Sequence, residues 1–218
     1  MTGFAARIRR ATMVEHREAE TRTFITRLAS GTVPIAGFAQ LTAQYLHIYR
    51  VLEQAAERWR DDDVAGPFAD PALARVPALE ADLAQLYGPG WESEIAQLDA
   101  TRRYTDHLRE HCSTSRPHFI AHHYVRYLGD LSGGQMIGRT LSGVYGLEQA
   151  GTMFYRFEAI PDARAYKTGY RERLDALPFS EAELETAVAE AQLAFRLNGG
   201  IFHEMGLIFP EDRTPAAA

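Results

Sequence analysis

The sequence predicts an all-α protein folded as one multi-helix domain. Three observations predict it. Apolar residues recur in steps of three and four along nearly all of the 218 residues, the period of a half-buried helix. No stretch of convincing apolar–polar alternation interrupts them. Proline, glycine and capping residues punctuate the pattern at short intervals, so no linker divides the chain. The helical domain is expected over residues 1–210, and residues 211–218 read as a flexible tail.

Residues 3–29 read as a first helix that stops near Gly31. Pro34 suits the first turn of the second. Phe38, Leu41, Tyr45, Ile48, Leu52, Ala55 and Trp59 then repeat with strict helical spacing, a strong amphipathic pattern. The acidic run at Asp61, Asp62 and Asp63, followed by Gly66 and Pro67, ends it. Asp70 before Pro71 is a cap and first-turn pair for a third helix carrying Leu73, Val76, Leu79, Leu83 and Leu86, bent at Pro77. Gly88, Pro89 and Gly90 form a turn. A fourth helix is expected along Trp91, Ile95, Leu98, Thr105 and Leu108. A long glycine-bearing helix opens at Ser115, Arg116 and Pro117 and runs to about Gly146. Residues 148–156 suggest a short helix or turn. After Pro161 comes a helix with Tyr166, Tyr170 and Leu174. Ser180 and Glu183 form a capping box for the last helix, which carries Leu184, Val188, Phe195, Phe202 and Met205.

Composition narrows the function. The formal net charge of −6 argues against a general nucleic-acid binder. One cysteine, Cys112, rules out an intrachain disulfide and fits a reducing cytoplasm. The first 30 residues contain six arginines and no apolar run of a secretory signal. No apolar stretch of about 18 residues suggests a membrane span. Lys167 is the sole lysine among the 23 basic residues.

The most informative stretch is YVRYLGDLSGGQ at residues 124–135. A glycine inside a helix costs roughly 1 kcal/mol relative to alanine, so Gly129, Gly133 and Gly134 together cost on the order of 3 kcal/mol. Gly129 and Gly133 are four apart and share a helix face. That face is bare, so a flat object can lie on the backbone. The alternative is a close crossing of two helices. Asp130 and Arg126 flank the patch, either as functional groups or as an ordinary surface pair.

This string resembles the distal-helix motif of the haem oxygenases, and the likeness extends over roughly residues 5–208. The resemblance implies haem held between a proximal N-terminal helix and a glycine-kinked distal helix. It implies a biliverdin-producing oxidoreductase that consumes dioxygen and releases carbon monoxide and ferrous iron, for iron recovery or haem breakdown. Electrons would come from a reductase, a ferredoxin or a flavodoxin. Residues 1–27 carry six arginines against three glutamates, a basic face that suits an acidic donor. The chain is similar to the soluble, cytoplasmic bacterial members, which lack a membrane anchor. A haem carrier or sensor without turnover is the alternative on the same scaffold.

The family's motif maps residue by residue. His16 matches the proximal ligand to the iron, and Glu20, at i+4, can reach its imidazole. An exposed helix histidine is the alternative, and His122 and His123 are rival ligands. Thr12 and Ala19 are small neighbours that leave room for a porphyrin edge. Asp130, with Gly129, corresponds to the catalytic position that organises distal water. Tyr49 and Arg126 match positions that extend this network. Haem's two propionates need cations, and Arg9, Lys167 and Arg171 match or resemble those positions, with Tyr124 adding a hydroxyl. Arg9 lies two helical turns before His16. Where many members have a lysine one turn before the histidine, this chain has Met13. Gly133 belongs to the haem-contacting backbone. Phe195, Asn198 and Phe202 match a wall of the pocket, with core packing as the alternative for both phenylalanines.

Overall fold

In the computed structural model, residues 3–147 and 150–211 are described. Among them ten α-helices are present and no strand. They are α1 Phe4–Ala11, α2 Met13–Glu20, α3 Thr23–Ala29, α4 Ile35–Trp59, α5 Val76–Tyr87, α6 Asp99–His111, α7 Arg116–Gly129, α8 Gln135–Tyr145, α9 Ala163–Asp175 and α10 Glu181–Ile208. The expected tail lies outside the described residues except for Glu211, as do residues 148 and 149 of the expected short helix.

The first expected helix is broken into three. Thr12 and Thr21 sit at the breaks, and each hydroxyl donates back to the carbonyl four residues earlier, Ile8 O at 2.9 Å and Arg17 O at 2.9 Å. Such back-bonding bends a helix by drawing a carbonyl off the ladder. Thr12 and Ala19 are buried, so they serve the break and the core and do not line an open edge. The two-turn relation of Arg9 to His16 therefore crosses a break.

Pro34 stands just outside α4, at its cap. The third helix begins later than expected. Asp70 caps a short 3-10 turn, Pro71–Leu73, by accepting from Ala72 N at 2.9 Å. Helix α5 follows, with Pro77 in its first turn, where the missing N–H costs nothing. The fourth helix also starts late, at Asp99. Trp91–Ser93 is a 3-10 turn, and Gln44 on α4 holds the segment after it. Its amide donates to Ala96 O at 3.0 Å and accepts from Leu98 N at 2.9 Å. The expected helix over residues 148–156 is a 3-10 turn, Met153–Tyr155, within its described part. The capping box of α10 is present, with Ser180 N donating to Glu183 at 2.8 Å.

Three helix starts lack a cap of their own and borrow one from a distant carboxylate. Asp175 accepts from Ala5 N at 2.7 Å for α1. Glu53 accepts from Arg75 N and Val76 N at 2.5 and 3.0 Å for α5. Glu204 accepts from Asp99 N and Ala100 N at 3.2 and 2.7 Å for α6. Each satisfies orphan donors and places negative charge at the positive end of a helix. Each also fixes one helix against another.

Helix α10 packs against α7, α6, α2 and α3, and α4 packs against α5, α6 and α7. Between them lies an aromatic core containing Tyr49, Tyr104, Tyr127, Phe119 and Phe154, all fully buried. The expected long glycine helix is divided into α7, a π-helical turn Asp130–Gly134, and α8. Gly146, in the left-handed region at φ 65°, ends it.

Candidate active site

The glycines of the π-turn region fall into two kinds. At Gly129 and Gly133 an added Cβ would meet no atom within 4 Å among the described residues beyond their own helix, and both are exposed. At Gly138 it would lie 2.6 Å from Tyr155 Cβ, and at Gly134 3.3 Å from Tyr155 Cδ1. A close packing contact thus explains Gly134 and Gly138. It does not explain Gly129 and Gly133, which leave bare backbone facing open space.

Beside the bare face runs a chain of polar contacts. The Tyr49 hydroxyl donates to Asp130 Oδ2. Arg126 Nε donates to the Tyr49 oxygen at 3.3 Å, and Arg126 Nη1 donates to Asn198 Oδ1 at 2.8 Å. The guanidinium also lies over the Tyr45 and Tyr49 rings, 4.6 and 4.9 Å from their centroids. Arg126 is 5% exposed, so the surface-pair alternative for Asp130 and Arg126 is overturned. Burial raises the Asp130 pKa above the usual carboxylate value, while Arg126, the Tyr49 hydrogen bond and Arg75 pull it down. Burial pushes the Tyr45 phenol up to about 12 and Tyr49 well above its usual value. Arg126 Nη2 is buried and has no partner among the described residues, an orphaned donor that a pocket occupant or water would satisfy.

His16 is exposed on α2, with Nδ1 3.2 Å from Glu20 Oε2. Its ring meets Phe195 edge-on, centroids 5.3 Å apart. Phe195 and Asn198 are three apart on α10, so this helix ties His16 on one side to Arg126 on the other. The rival histidines are buried. His122 Nδ1 lies 3.2 Å from the Tyr104 hydroxyl and Nε2 3.1 Å from Glu190. His123 Nδ1 lies 2.8 Å from the Tyr170 hydroxyl, and burial lowers its pKa to about 3. Phe202 is buried in the core at 5% exposure, while Phe195 is half-buried.

The expected cations converge. Lys167 Nζ donates to Leu131 O and Ser132 Oγ, both at 3.3 Å, so it sits against the π-turn. Arg171 is exposed one turn further along α9. Burial raises the pKa of Tyr124, and Arg171 and Arg9 draw it back. Both cations therefore lie within electrostatic reach of one phenol.

The family model described as Heme oxygenase matches residues 2–204. The chain belongs to the haem oxygenase family. It is 34% identical over 209 residues to the haem oxygenase of Rhodella violacea, covering 95% of this chain and 89% of that one. Among solved structures, haem oxygenase-1 of Synechocystis in complex with haem matches with a TM-score of 0.89 at 32% identity, covering 94% of this chain and 92% of that one. Haem oxygenase-2 of Synechocystis, in complex with haem and NO, matches with a TM-score of 0.90 at 33% identity, over 95% and 86% of the two chains.

For a haem oxygenase, two observations here fit the flat, dianionic macrocycle. The bare backbone at Gly129 and Gly133 is a cradle that any Cβ would fill, and the orphaned Arg126 Nη2 belongs to the buried network that ends at Asp130. The sequence reading missed two supports. Arg75 is buried, donating to Leu73 O at 3.0 Å, Phe154 O at 3.2 Å and Arg156 O at 2.5 Å. Asp82 is buried too, accepting from Met153 N at 2.7 Å and Phe154 N at 2.8 Å. Together they seat the turn that carries Tyr155. The available signal was a charged residue inside an otherwise apolar helical pattern. No helix among the described residues is long and apolar enough to cross a membrane.

Proposed function

We propose that this chain cleaves haem oxidatively to biliverdin, carbon monoxide and ferrous iron, using dioxygen and electrons from a reductase, ferredoxin or flavodoxin, in the cytoplasm. The observation that carries the reading is the bare glycine face at Gly129 and Gly133 with the Asp130 carboxylate beside it. His16 would ligate the iron, with Glu20 orienting the ring from 3.2 Å. Arg9, Lys167 and Arg171, with the Tyr124 hydroxyl, would hold the propionates. Phe195 would flank the proximal ring, as its edge contact with His16 suggests.

Bound haem supplies both the redox chemistry of its iron and the ring that is oxidised. The chain's own residues manage protons and water. Asn198 orients Arg126, Arg126 orients the Tyr49 hydroxyl, and Tyr49 donates to Asp130 Oδ2. Burial raises the Asp130 pKa, which suits a carboxyl that holds and passes a proton. Gly129 and Gly133 keep the approach free of side chains, so Asp130 acts through ordered water. The basic N-terminal surface, with Arg9, Arg10 and Arg17 exposed, suits docking of an acidic electron donor.

The test is to add hemin to the purified protein, supply reductant and air, and follow the visible spectrum. The expected result is a Soret band that decays as a biliverdin band grows. A persistent oxy-haem spectrum would make the protein a carrier, and no Soret shift would overturn haem binding altogether.

A further inference from the structure

Away from the glycine face, four histidines gather around one carboxylate. They form two pairs at i,i+4 spacing, His107 with His111 on α6 and His118 with His122 on α7. Histidines four apart project from one helix face and can share a metal ion. Glu190 on α10 stands between the pairs. Its Oε2 lies 2.7 Å from His107 Nε2 and 3.1 Å from His122 Nε2, and its Oε1 lies 3.4 Å from His118 Nε2. Donor atoms of His107, His122 and Glu190 all lie within 4.8 Å of one another. The His111 ring packs against those of His107 and His118, with centroids 4.6 and 4.9 Å away.

We propose that His107, His122 and Glu190 form a site for a divalent first-row transition ion, with His118 and His111 at its rim. A tetrahedral zinc ion with bonds of about 2.0–2.1 Å holds its ligand atoms about 3.3 Å apart. The contacts of Glu190 Oε2 with His107 and His122, at 2.7 and 3.1 Å, lie close to that spacing. Two imidazoles and one carboxylate form a borderline donor set that suits Zn²⁺ and its neighbours over Mg²⁺ or Ca²⁺.

The far ring nitrogens are already engaged. His118 Nδ1 lies 2.7 Å from Ser115 Oγ, and His122 Nδ1 lies 3.2 Å from the Tyr104 hydroxyl. These partners turn both Nε2 atoms toward Glu190, the arrangement that orients metal-ligating imidazoles. A cleft lined in part by Ser115, Arg116, His118, Glu183 and Thr186 gives a route from solvent to His118.

The test titrates Zn²⁺ into tag-free, hemin-free protein in competition with a chromophoric chelator. Wild type should bind one ion tightly per chain, and His16→Ala should bind it with the same affinity. His107→Gln with Glu190→Gln should lose affinity about 100-fold or more, since even an outer partner of a metal ligand is worth about 10–100-fold. Circular dichroism checks the fold of the variant. X-ray absorption of the wild-type zinc complex, which needs no variant, should show a shell of imidazole nitrogens and carboxylate oxygen. No stoichiometric binding, unchanged affinity in the double variant, loss in His16→Ala, or a zinc shell without imidazole would each overturn the site. This outcome is independent of haem turnover.

Discussion

Gly129 and Gly133 stand on open backbone, whereas Gly138, on the next helix, stands against Tyr155. The two places are written alike in the sequence, as glycines in a helical segment at four-residue spacing. In one the absent side chain makes room for a neighbouring tyrosine. In the other nothing in the described chain uses the room. Spacing shows that backbone has been bared, and the surroundings show for what. Packing glycines should be repaid in stability, and open glycines should be repaid only in binding.

The largest expected effect tests the open pair. Gly129→Leu with Gly133→Leu should lower hemin affinity about 100-fold, since overpacking a contact costs roughly 1–3 kcal/mol per site. The thermal midpoint should hold or rise, because leucine is the better helix former. Hemin titration by Soret absorbance together with calorimetry reads both. Unchanged affinity would mean the bare face is not where haem lies.

Asp130→Ala separates chemistry from cradle. Hemin should bind as in wild type, while the biliverdin rate falls about 100-fold, the lower end for loss of a general acid or base. Asp130→Asn keeps size and polarity and distinguishes holding water from carrying charge. A full biliverdin yield from both variants would remove Asp130 from the chemistry.

On the packed side, Asp82→Ala strands the Met153 and Phe154 N–H groups that seat the Tyr155 turn. At roughly 1–3 kcal/mol for each buried unsatisfied group, the cost should be about 3 kcal/mol. That is a fall of roughly 6–12 °C in Tm for a chain of this size. Single alanines then give the sharpest contrast at lower amplitude. Gly129→Ala should stabilise by up to about 1 kcal/mol. Gly138→Ala, with its Cβ 2.6 Å from Tyr155 Cβ, should destabilise by about 1 kcal/mol as the ring is displaced. Equal signs in urea midpoints would erase the distinction.

A pH slope tests the packed side in a second way. Burial raises the Asp82 pKa to about 6 from 3.8, against backbone hydrogen bonds from Phe154 and Met153 that lower it. Between those values the folded chain holds a proton that the unfolded chain has released, so stability falls as pH rises through the window and levels off above it. Urea midpoints between pH 4 and 7 should show less of this decline in Asp82→Asn.

Where a feature is local, the sequence carried it. The spacing of Phe38 through Trp59 marked α4, and Ser180 with Glu183 marked the start of α10. Features that depend on a distant partner were silent. Nothing near Asp99 says that Glu204 will cap its helix, and Gln44 delays that helix from another element. The same division holds at the site. Tyr49, Arg126, Asp130 and Asn198 were legible because they match a family motif, and the structure brings them into one network. Arg75 and Asp82 were not, because their partners are backbone groups on a turn far along the chain. Glu190 carries no local signal either, because its partners are histidines that α6 and α7 bring to it.

The π-turn at Asp130–Gly134 also sets the winding of this segment. A π-turn holds one residue more than an α-turn, and each residue of an α-helix advances about 100° around the axis. The extra residue therefore resets the phase of everything after it, aiming Gly138 at Tyr155 while Gly129 keeps its own heading. Winding the same residues as plain α-helix would swing α8 round by about 100°, whereas removing one residue would let the helix run straight through with the heading of α8 kept. A substitution that drives this turn into regular α-helix would therefore move Gly138 off Tyr155, although the turn has an exposed side. The winding between the two glycine faces is as much a part of the site as their identity.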